Sequence, residues 1–226
     1  MYLDETTKEP RGPYHILEYH RRYSDEEMVK YMPYRPGLRV LHCGCGEGIL
    51  LDQLRGRTGG AWGIDRSQRA LGNAQVPGTV SIAQAAALPF DAASFDVVFG
   101  QKAMRRAPDP SHALHALREM ARVLRPGGRL ILWEPRRLFR RIPAADLWRQ
   151  IDRAGLEVVH TEPFDYVAYP MSLLIGVVPF VSRSLLAHTL TKALLAADVL
   201  LRRVPALGEK SWHLIIVAEK NGNKDG

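Results

Sequence analysis

The sequence has few cysteines, and the two that it has are separated by one residue. Cys43 and Cys45 are the only thiols among 226 residues. Two cysteines cannot form a disulfide framework. A structural zinc site normally uses four ligands, so the neighbouring His42 does not complete one. Both thiols are therefore predicted to be small packing residues in a reducing compartment, and no metal is expected.

The sequence also lacks a recognisable targeting or membrane-spanning segment. Residues 1–6 are polar and acidic, unlike the start of a signal peptide. The strongly apolar stretch 170–181 is shorter than the roughly 20 residues that span a bilayer. Arg183, Lys192 and Asp198 interrupt any longer run. These features predict a cytoplasmic protein.

Acidic residues are outnumbered, with 24 Asp and Glu against 31 Lys and Arg, which gives a net charge of +7. The basic pairs are not interleaved with aromatic residues that could stack on bases, so a solvated surface is favoured over nucleic acid. An acidic or phosphorylated substrate, or an anionic membrane surface, also fits this charge. The basic pairs are Arg105-Arg106, Arg136-Arg137, Arg140-Arg141 and Arg202-Arg203.

Seven apolar runs alternate with helical patterns along the chain. This alternation predicts one α/β domain with a parallel, doubly wound sheet. Asp109-Pro110 indicates a helix start, and Gly155 indicates the end of a helix that begins near Ala144. Pro126-Gly127-Gly128 is expected to form a loop. The predicted strands are 39–43, 61–64, 79–82, 95–99, 129–133, 156–160 and 212–218.

The first run leads into three glycines at alternate positions, Gly44, Gly46 and Gly48, and an apolar-periodic segment follows at once. This order predicts a strand, a tight turn and a helix. Glycine lets the backbone turn sharply and approach a ligand, and the helix aims free N–H groups at the turn. The second strand ends in Asp65, about twenty residues beyond the turn, where a carboxylate can accept from ribose hydroxyls. The pattern favours a nucleotide-like cofactor.

Three later motifs narrow this interpretation: Leu88-Pro-Phe90, Phe95-Asp-Val-Val98 and Arg122-Val-Leu-Arg-Pro-Gly-Gly128. In this order, over residues 38–159, the sequence resembles the class I S-adenosylmethionine-dependent methyltransferases, in the small-molecule branch with ubiquinone and menaquinone methyltransferases. The resemblance implies a Rossmann-like, mostly parallel seven-stranded sheet with an antiparallel last strand. It also implies S-adenosyl-L-methionine as cofactor, with S-adenosyl-L-homocysteine as product.

The resemblance assigns a set of residues to the cofactor. The glycine turn would lie against the methionine part, Asp65 would bind the ribose, and Gly100 and Gln101 would border the sulfonium. The full set is His42, Gly44, Cys45, Gly46, Gly48, Asp65, Arg66, Gln84, Ala85, Gly100 and Gln101.

Two members of this set depart from the family pattern. His42 stands where an acid usually helps to hold the cofactor's ammonium group, and Gln84 stands where an acid usually accepts from the adenine amine. An amide oxygen can still accept but lacks the charge that strengthens a hydrogen bond. The departures leave open a cofactor-binding protein with lost or altered chemistry. The basic charge leaves open an RNA methyltransferase as a further alternative.

The acceptor side is less defined. The resemblance implies that residues 1–37 form an N-terminal cap over the cofactor, and a helix packed outside the sheet is an equal alternative. Tyr14, His15, Tyr19 and Arg106 are candidates for contact with the acceptor. The general base is left open among His15, His20, His112 and Tyr14.

Within a single domain covering 1–226, the cofactor-binding core is expected at 38–160, a helical insertion at 164–210 and the last strand at 211–219. A helix is predicted over Ser184 to Val204. The insertion fits a lid over a hydrophobic acceptor, an amphipathic surface that meets a membrane or a partner subunit in a homodimer, or additional core. The expected activity is methyl transfer to a small or lipophilic acceptor.

Overall fold

The computed structural model describes residues 15–33, 35–54, 56–68, 71, 79–104, 107–136, 144–176 and 185–222. The chain divides into two compact units, and each is considered by itself. The first unit comprises Met1–Asp25 and Asp165–Lys210, and the second comprises Glu26–Phe164 and Ser211–Gly226. No helix in the described ranges is long and apolar enough to cross a membrane.

The described elements alternate as the sequence predicts. The strands are β1 Arg39–Cys43, β2 Gly60–Asp65, β3 Val80–Ile82, β4 Phe95–Gln101, β5 Leu124–Pro135, β6 Leu156–Phe164 and β7 His213–Lys220. The helices are α1 His15–Val29, α2 Ile49–Leu54, α3 Pro110–Val123, α4 Ala144–Arg153, α5 Ala168–Gly176 and α6 Leu185–Leu201, and a 3-10 helix spans Pro205–Lys210.

All seven strands form one sheet in the second unit, in the order β3-β2-β1-β4-β5-β7-β6. β7 runs antiparallel to both of its neighbours, and the pairs among the first five strands are parallel. The predicted mostly parallel seven-stranded sheet with an antiparallel last strand is confirmed. The strand order reverses between β1 and β4, so the crevice used for ligands in such sheets lies at the carboxyl ends of these two strands.

One sheet face packs against α3 and α4 to form the main core. Leu41 and Cys43 of β1, Val98 of β4 and Leu132 of β5 are fully buried there. The periodic apolar positions of α3 cover these strands, and Asp109 caps that helix by accepting from the amides of Ser111 and His112. The sequence predicted this cap correctly.

The Phe-Asp-Val-Val motif contributes a buried carboxylate, Asp96, that links several segments at the amino end of the sheet. Asp96 accepts from the amide of Arg39 at 2.8 Å and from the guanidinium of Arg125 at 3.1 Å, and it also pairs with Arg35. Three charged or polar donors offset the cost of burying this carboxylate. Asp96 therefore fixes β4 against β1 and does not belong to the ligand edge.

The prediction of a loop at Pro126-Gly127-Gly128 is wrong in one respect. β5 begins at Leu124 and includes these residues, and its register with β4 shifts between the Phe95 and Val97 positions. Gly127 has φ of +73°, a left-handed conformation that favours glycine. The motif forms an irregularity at the start of the strand, and regular pairing resumes at Arg129.

Candidate functional site

The glycine turn adopts the tight conformation that the sequence predicts. Gly44, Gly46 and Gly48 have φ of +82°, +55° and +78°, which side chains rarely tolerate. The amides of Gly44 and Cys45 both donate to the carbonyl of Ile64, at 2.8 and 3.0 Å. The turn is therefore tied to β2 before it leads into α2.

Asp65 at the end of β2 is bound to this turn. Its Oδ2 accepts from the Gly46 amide at 3.0 Å, and its Oδ1 accepts from the Ser67 amide at 2.8 Å. The residue is almost fully buried. Asp65 therefore braces the glycine turn and the turn after β2 through both of its carboxylate oxygens.

The two thiols are packing groups. A Cβ on Gly63 would lie 2.7 Å from the Cys45 sulfur and 2.5 Å from Leu51 Cδ1, so Cys45 occupies space that only a glycine leaves open. Burial, followed by the nearby Cys45, raises the pKa of the Cys43 thiol far above its ordinary value. Both sulfurs are buried and free of disulfides. The backbone amide and carbonyl of Cys45 are likewise used within the protein, by Ile64 and Gly48.

The end of β4 closes the other side of the turn. A Cβ on Gly44 would lie 3.4 Å from the carbonyl oxygen of Gln101, so the two backbones are in close approach. Gly100 has a different reason for being glycine. A Cβ there would lie 2.6 Å from Leu132 Cδ2 and 3.6 Å from Met120 Cε, on the core side. Its missing side chain is explained by packing.

The loop after β3 begins beside Asp65. The amide of Ala83 donates to the Asp65 carbonyl at 3.2 Å, and the amide of Ala87 donates to the Gln84 carbonyl at 3.0 Å. Gln84 and Arg66 are exposed, and Ala85 is half-buried. The loop that carries Gln84 and Ala85, two of the predicted cofactor residues, therefore starts at the same sheet edge as the acid.

Two side chains of α3 hold the Leu-Pro-Phe motif that follows. Arg122 donates to the carbonyls of Phe90 at 2.9 Å and Leu88 at 3.1 Å, while Glu119 accepts from the Leu88 amide at 2.9 Å. Glu119 and Arg122 also pair with each other. The hydrogen bond from Arg122 lowers the pKa of the Glu119 carboxyl. Sequence reasoning missed these contacts, although Arg122 lies in a motif that it singled out.

His42 lies within the sheet. It is fully buried in β1, where its register partners are Gly63 on β2 and Phe99 on β4. Its ring meets Phe99 edge to face at 6.4 Å between centroids. The position that the resemblance reserves for an acid is therefore occupied by an imidazole packed against an aromatic ring.

A second set of contacts, which sequence reasoning also missed, fixes the loop after β4. Lys102 has φ of +52°, its amide donates to the Trp133 carbonyl at 2.8 Å, and its Nζ lies 4.3 Å from the Trp133 ring centroid. The amide of Met104 donates to Glu134 at 2.9 Å. Glu134 is fully buried. A carboxylate in the apolar end of β5 is the feature of the sequence that could have indicated this role.

The structure describes only some of the residues that are candidates for contact with the acceptor or for the general base. Tyr14 and Arg106 lie outside the described residues, as do the side chains of His15 and Tyr19 on α1. In the first unit, the His20 Nε2 lies 2.7 Å from Asp165 Oδ1, and both residues are buried.

His112 has a structural role in the second unit. Its ring lies 2.7 Å from the helix-capping Asp109, at an exposed position. Within the described ranges, no group of three or more His, Cys, Asp or Glu residues is arranged to hold a metal ion.

The chain is similar in sequence to known methyltransferases. Residues 41–132 match the family described as "Methyltransferase domain". The chain is 32% identical over 158 residues to a malonyl-[acyl-carrier protein] O-methyltransferase of Erwinia billingiae, covering 66% of this chain and 59% of that protein. It is 36% identical over 118 residues to a demethylmenaquinone methyltransferase of Staphylococcus aureus, covering 48% of each. The matched segments thus span about half the length of these relatives.

Among solved structures, the fold resembles an S-adenosylmethionine-dependent methyltransferase from Mesorhizobium loti. The TM-score is 0.60 at 16% identity, covering 86% of this chain and 96% of that one. At this identity the likeness concerns the fold.

Proposed function

We propose that this chain, which carries a methyltransferase domain of the class I S-adenosylmethionine-dependent family, transfers a methyl group from S-adenosylmethionine to a small or lipophilic acceptor. One observation carries the proposal. The carboxyl ends of β1, β2 and β4 bring the amide of Gly46, the carboxylate of Asp65 and the carbonyl of Gln101 to one edge of the sheet. This is the topological switch point of the sheet.

The residues at this edge suit the parts of the cofactor. Asp65 would accept from the ribose hydroxyls, since its carboxylate lies at the carboxyl end of β2 beside the glycine turn. The exposed Gln84 would offer its amide oxygen to the adenine amine. The Gln101 carbonyl would face the methionine end, beside the Gly44 backbone.

Bound S-adenosylmethionine would supply an already activated methyl group. The protein's contribution is then mainly to position the acceptor in line and to exclude water. The loop that starts at Lys102 is suited to this task because Trp133 and Glu134 hold it at two backbone amides. A fixed loop beside the reacting atoms limits the geometries that an acceptor can adopt.

The acceptor class is supported by relatives. The proteins reported above are named for a malonyl group on acyl-carrier protein and for demethylmenaquinone, and neither name indicates nucleic acid. This likeness supports an apolar or acidic small acceptor. The exposed arginines and lysines of the surface would favour an acidic acceptor over a cationic one.

The proposal is tested with isotopically labelled S-adenosylmethionine. The purified chain is incubated with the labelled donor and a metabolite extract, and labelled products are identified by mass spectrometry. Calorimetry measures cofactor binding in the same preparation, with an expected Kd in the micromolar range, about −7 to −9 kcal/mol. Absence of cofactor binding would refute the proposal as a whole.

A second candidate is a protein that binds the cofactor without transferring methyl. The buried His42 and the exposed Gln84, both at positions where the resemblance expects acids, favour it. Micromolar binding without labelled product or S-adenosylhomocysteine from any acceptor panel would support this candidate.

A further inference from the structure

The rotation of α6 about its own axis is set by a buried carboxylate. Asp198 is 1% exposed and accepts from the amides of Val167 at 2.8 Å and Ala168 at 3.3 Å. These amides belong to the start of α5, where backbone donors have no partner within the helix. Burial raises the pKa of the Asp198 carboxyl, and these amides act in the opposite direction. The carboxylate thus performs a capping role that requires it to face inward.

Two further polar residues lie on the same side of α6. Thr191, seven residues before Asp198, is 1% exposed. Arg202, just beyond the helix, donates to the Tyr23 hydroxyl at 3.1 Å within the same unit. At 100° per residue, these positions occupy one face of the helix. The polar face of α6 is therefore the inner face.

The outer face is mainly apolar, although the exposed Thr189 also lies on it. We call Leu190, Ala193, Ala196 and Leu200 the apolar stripe, since all four are exposed and share one side of α6. Leu200 is 61% exposed, and Leu174 on the neighbouring α5 is 64% exposed. Large exposed apolar residues are concentrated here. Of the described ones, Leu173, Leu174, Leu190, Leu200 and Val204 belong to this unit, and Ile82 and Val159 belong to the other.

The charges around the stripe are mainly positive. In the described part of 165–210, the exposed charged residues are Lys192, Arg203, Lys210 and Glu209. The acids Asp165 and Asp198 are buried. By helical position, Lys192 lies on one flank of the stripe, and Arg203 follows two residues after the end of the helix. An apolar strip bordered by cations matches an anionic lipid surface, in which acyl chains take up the leucines and headgroups pair with the cations.

A second copy of the chain suits this surface less well. A two-fold contact through the stripe would bring each Lys192 and Arg203 toward like charges on the other copy. Such a contact offers no acid on α6 to offset the repulsion, since Asp198 points inward. We propose that the stripe of α6, with Leu173 and Leu174 of α5, docks on an anionic membrane surface. This docking does not depend on the transfer activity proposed above.

The test is flotation of the full chain with lipid vesicles. The protein is mixed with vesicles of phosphatidylcholine alone or with added phosphatidylglycerol. We expect binding to the anionic vesicles that weakens as salt is raised and is much weaker on neutral ones. Leu190→Gln combined with Leu200→Gln should lower the partition coefficient at least tenfold. Ile82→Gln, an equally exposed apolar position in the other unit, should leave it unchanged.

Two further variants separate the electrostatic contribution to vesicle binding from the apolar one. Lys192→Gln with Arg203→Gln should weaken anionic binding and flatten its salt dependence, whereas Arg57→Gln, at an exposed site of the second unit, should not. Leu200→Trp should strengthen binding, because tryptophan favours the membrane interface. Thermal unfolding checks that each variant is folded. Failure of the native chain to float, or undiminished binding by the folded stripe variant, would overturn the proposal. So would a dimer that the stripe variant abolishes in a chain that does not bind vesicles.

Discussion

The carboxylate of Asp65 accepts a hydrogen bond from the backbone amide of Gly46 at 3.0 Å, nineteen residues earlier in the chain. Its second oxygen accepts from Ser67 at 2.8 Å. One buried side chain therefore joins the glycine turn after β1 to the turn after β2. The residue expected to bind the cofactor's ribose also fixes the loop expected to meet the methionine part. Substitutions at Asp65 should consequently affect both binding and turn geometry.

Replacing Asp65 with asparagine should weaken binding of S-adenosylhomocysteine about tenfold to a hundredfold, or about 1–3 kcal/mol. An amide can accept from only one of the two backbone donors, so its NH₂ group would face the other N–H. Calorimetry on the folded variant measures the loss. Asp152→Asn, at an exposed position at the end of α4, is the matched control and should bind normally. Equal affinities for the native chain and Asp65→Asn would contradict the assignment.

Replacing Gln84 with glutamate should tighten cofactor binding by up to about 1 kcal/mol. The isosteric carboxylate would form a charge-assisted hydrogen bond with the adenine amine. Gln68→Glu, at an exposed position beyond β2, controls for the added negative charge. The gain should disappear with the inosine analogue of S-adenosylhomocysteine, which lacks the amine. A gain that persists with this analogue would show that Gln84 does not read the adenine.

Glu119→Gln should reduce both stability and its dependence on acidic pH. Arg122 lowers the pKa of the folded Glu119 carboxyl below its unfolded value of about 4.3. The stabilisation is therefore complete above that pH and is lost as pH falls through the folded pKa. At pH 7 we expect a loss of about 1 kcal/mol, kept modest because Arg122 is partly exposed and screened.

Chemical denaturation of Glu119→Gln between about pH 3 and pH 7 tests this prediction. This range brackets the reference pKa of a glutamate carboxyl. The exposed Glu157→Gln is its control. If the variant loses as much stability on acidification as the native chain, the contacts of Glu119 and Arg122 with Leu88 and Phe90 do not contribute to stability as described.

Gly63→Ala should destabilise the fold by about 1–3 kcal/mol, because the new methyl group would overpack the space beneath the glycine turn. It would lie 2.7 Å from the Cys45 sulfur and 2.9 Å from its Cβ. Adding Cys45→Ala should recover part of this loss by removing the sulfur. Gly222→Ala, where no atom lies within 4 Å of the added methyl, should be neutral in the same thermal unfolding measurement.

Much of the secondary structure of the second unit could be predicted, because it depends on the preferences of residues close together in the chain. The strand-glycine-helix order at 39–54 depends on the missing side chains of Gly44, Gly46 and Gly48, and their positive φ values confirm it. Asp109 and Gly155 similarly mark helix ends through their own backbone and side-chain preferences. Sequence reasoning misplaced the start of β5, since a register shift against β4 depends on the partner strand.

The sheet, the glycine turn and the acid at the end of β2 could be predicted from the sequence, because alternation, glycine conformations and spacing act over short stretches of chain. The tertiary fold, in contrast, determined which polar groups support that edge. Glu119 and Arg122 contact Leu88 and Phe90, about thirty residues away along the chain. Glu134 on β5 accepts from the amide of Met104, in the loop after β4. It also decided the orientation of α6. The polar residues of that helix suggest a face turned to water, yet Asp198 lies inward because the start of α5 needs acceptors for its amides. A hydrogen bond formed between distant segments thus leaves the leucines of α6 at the surface.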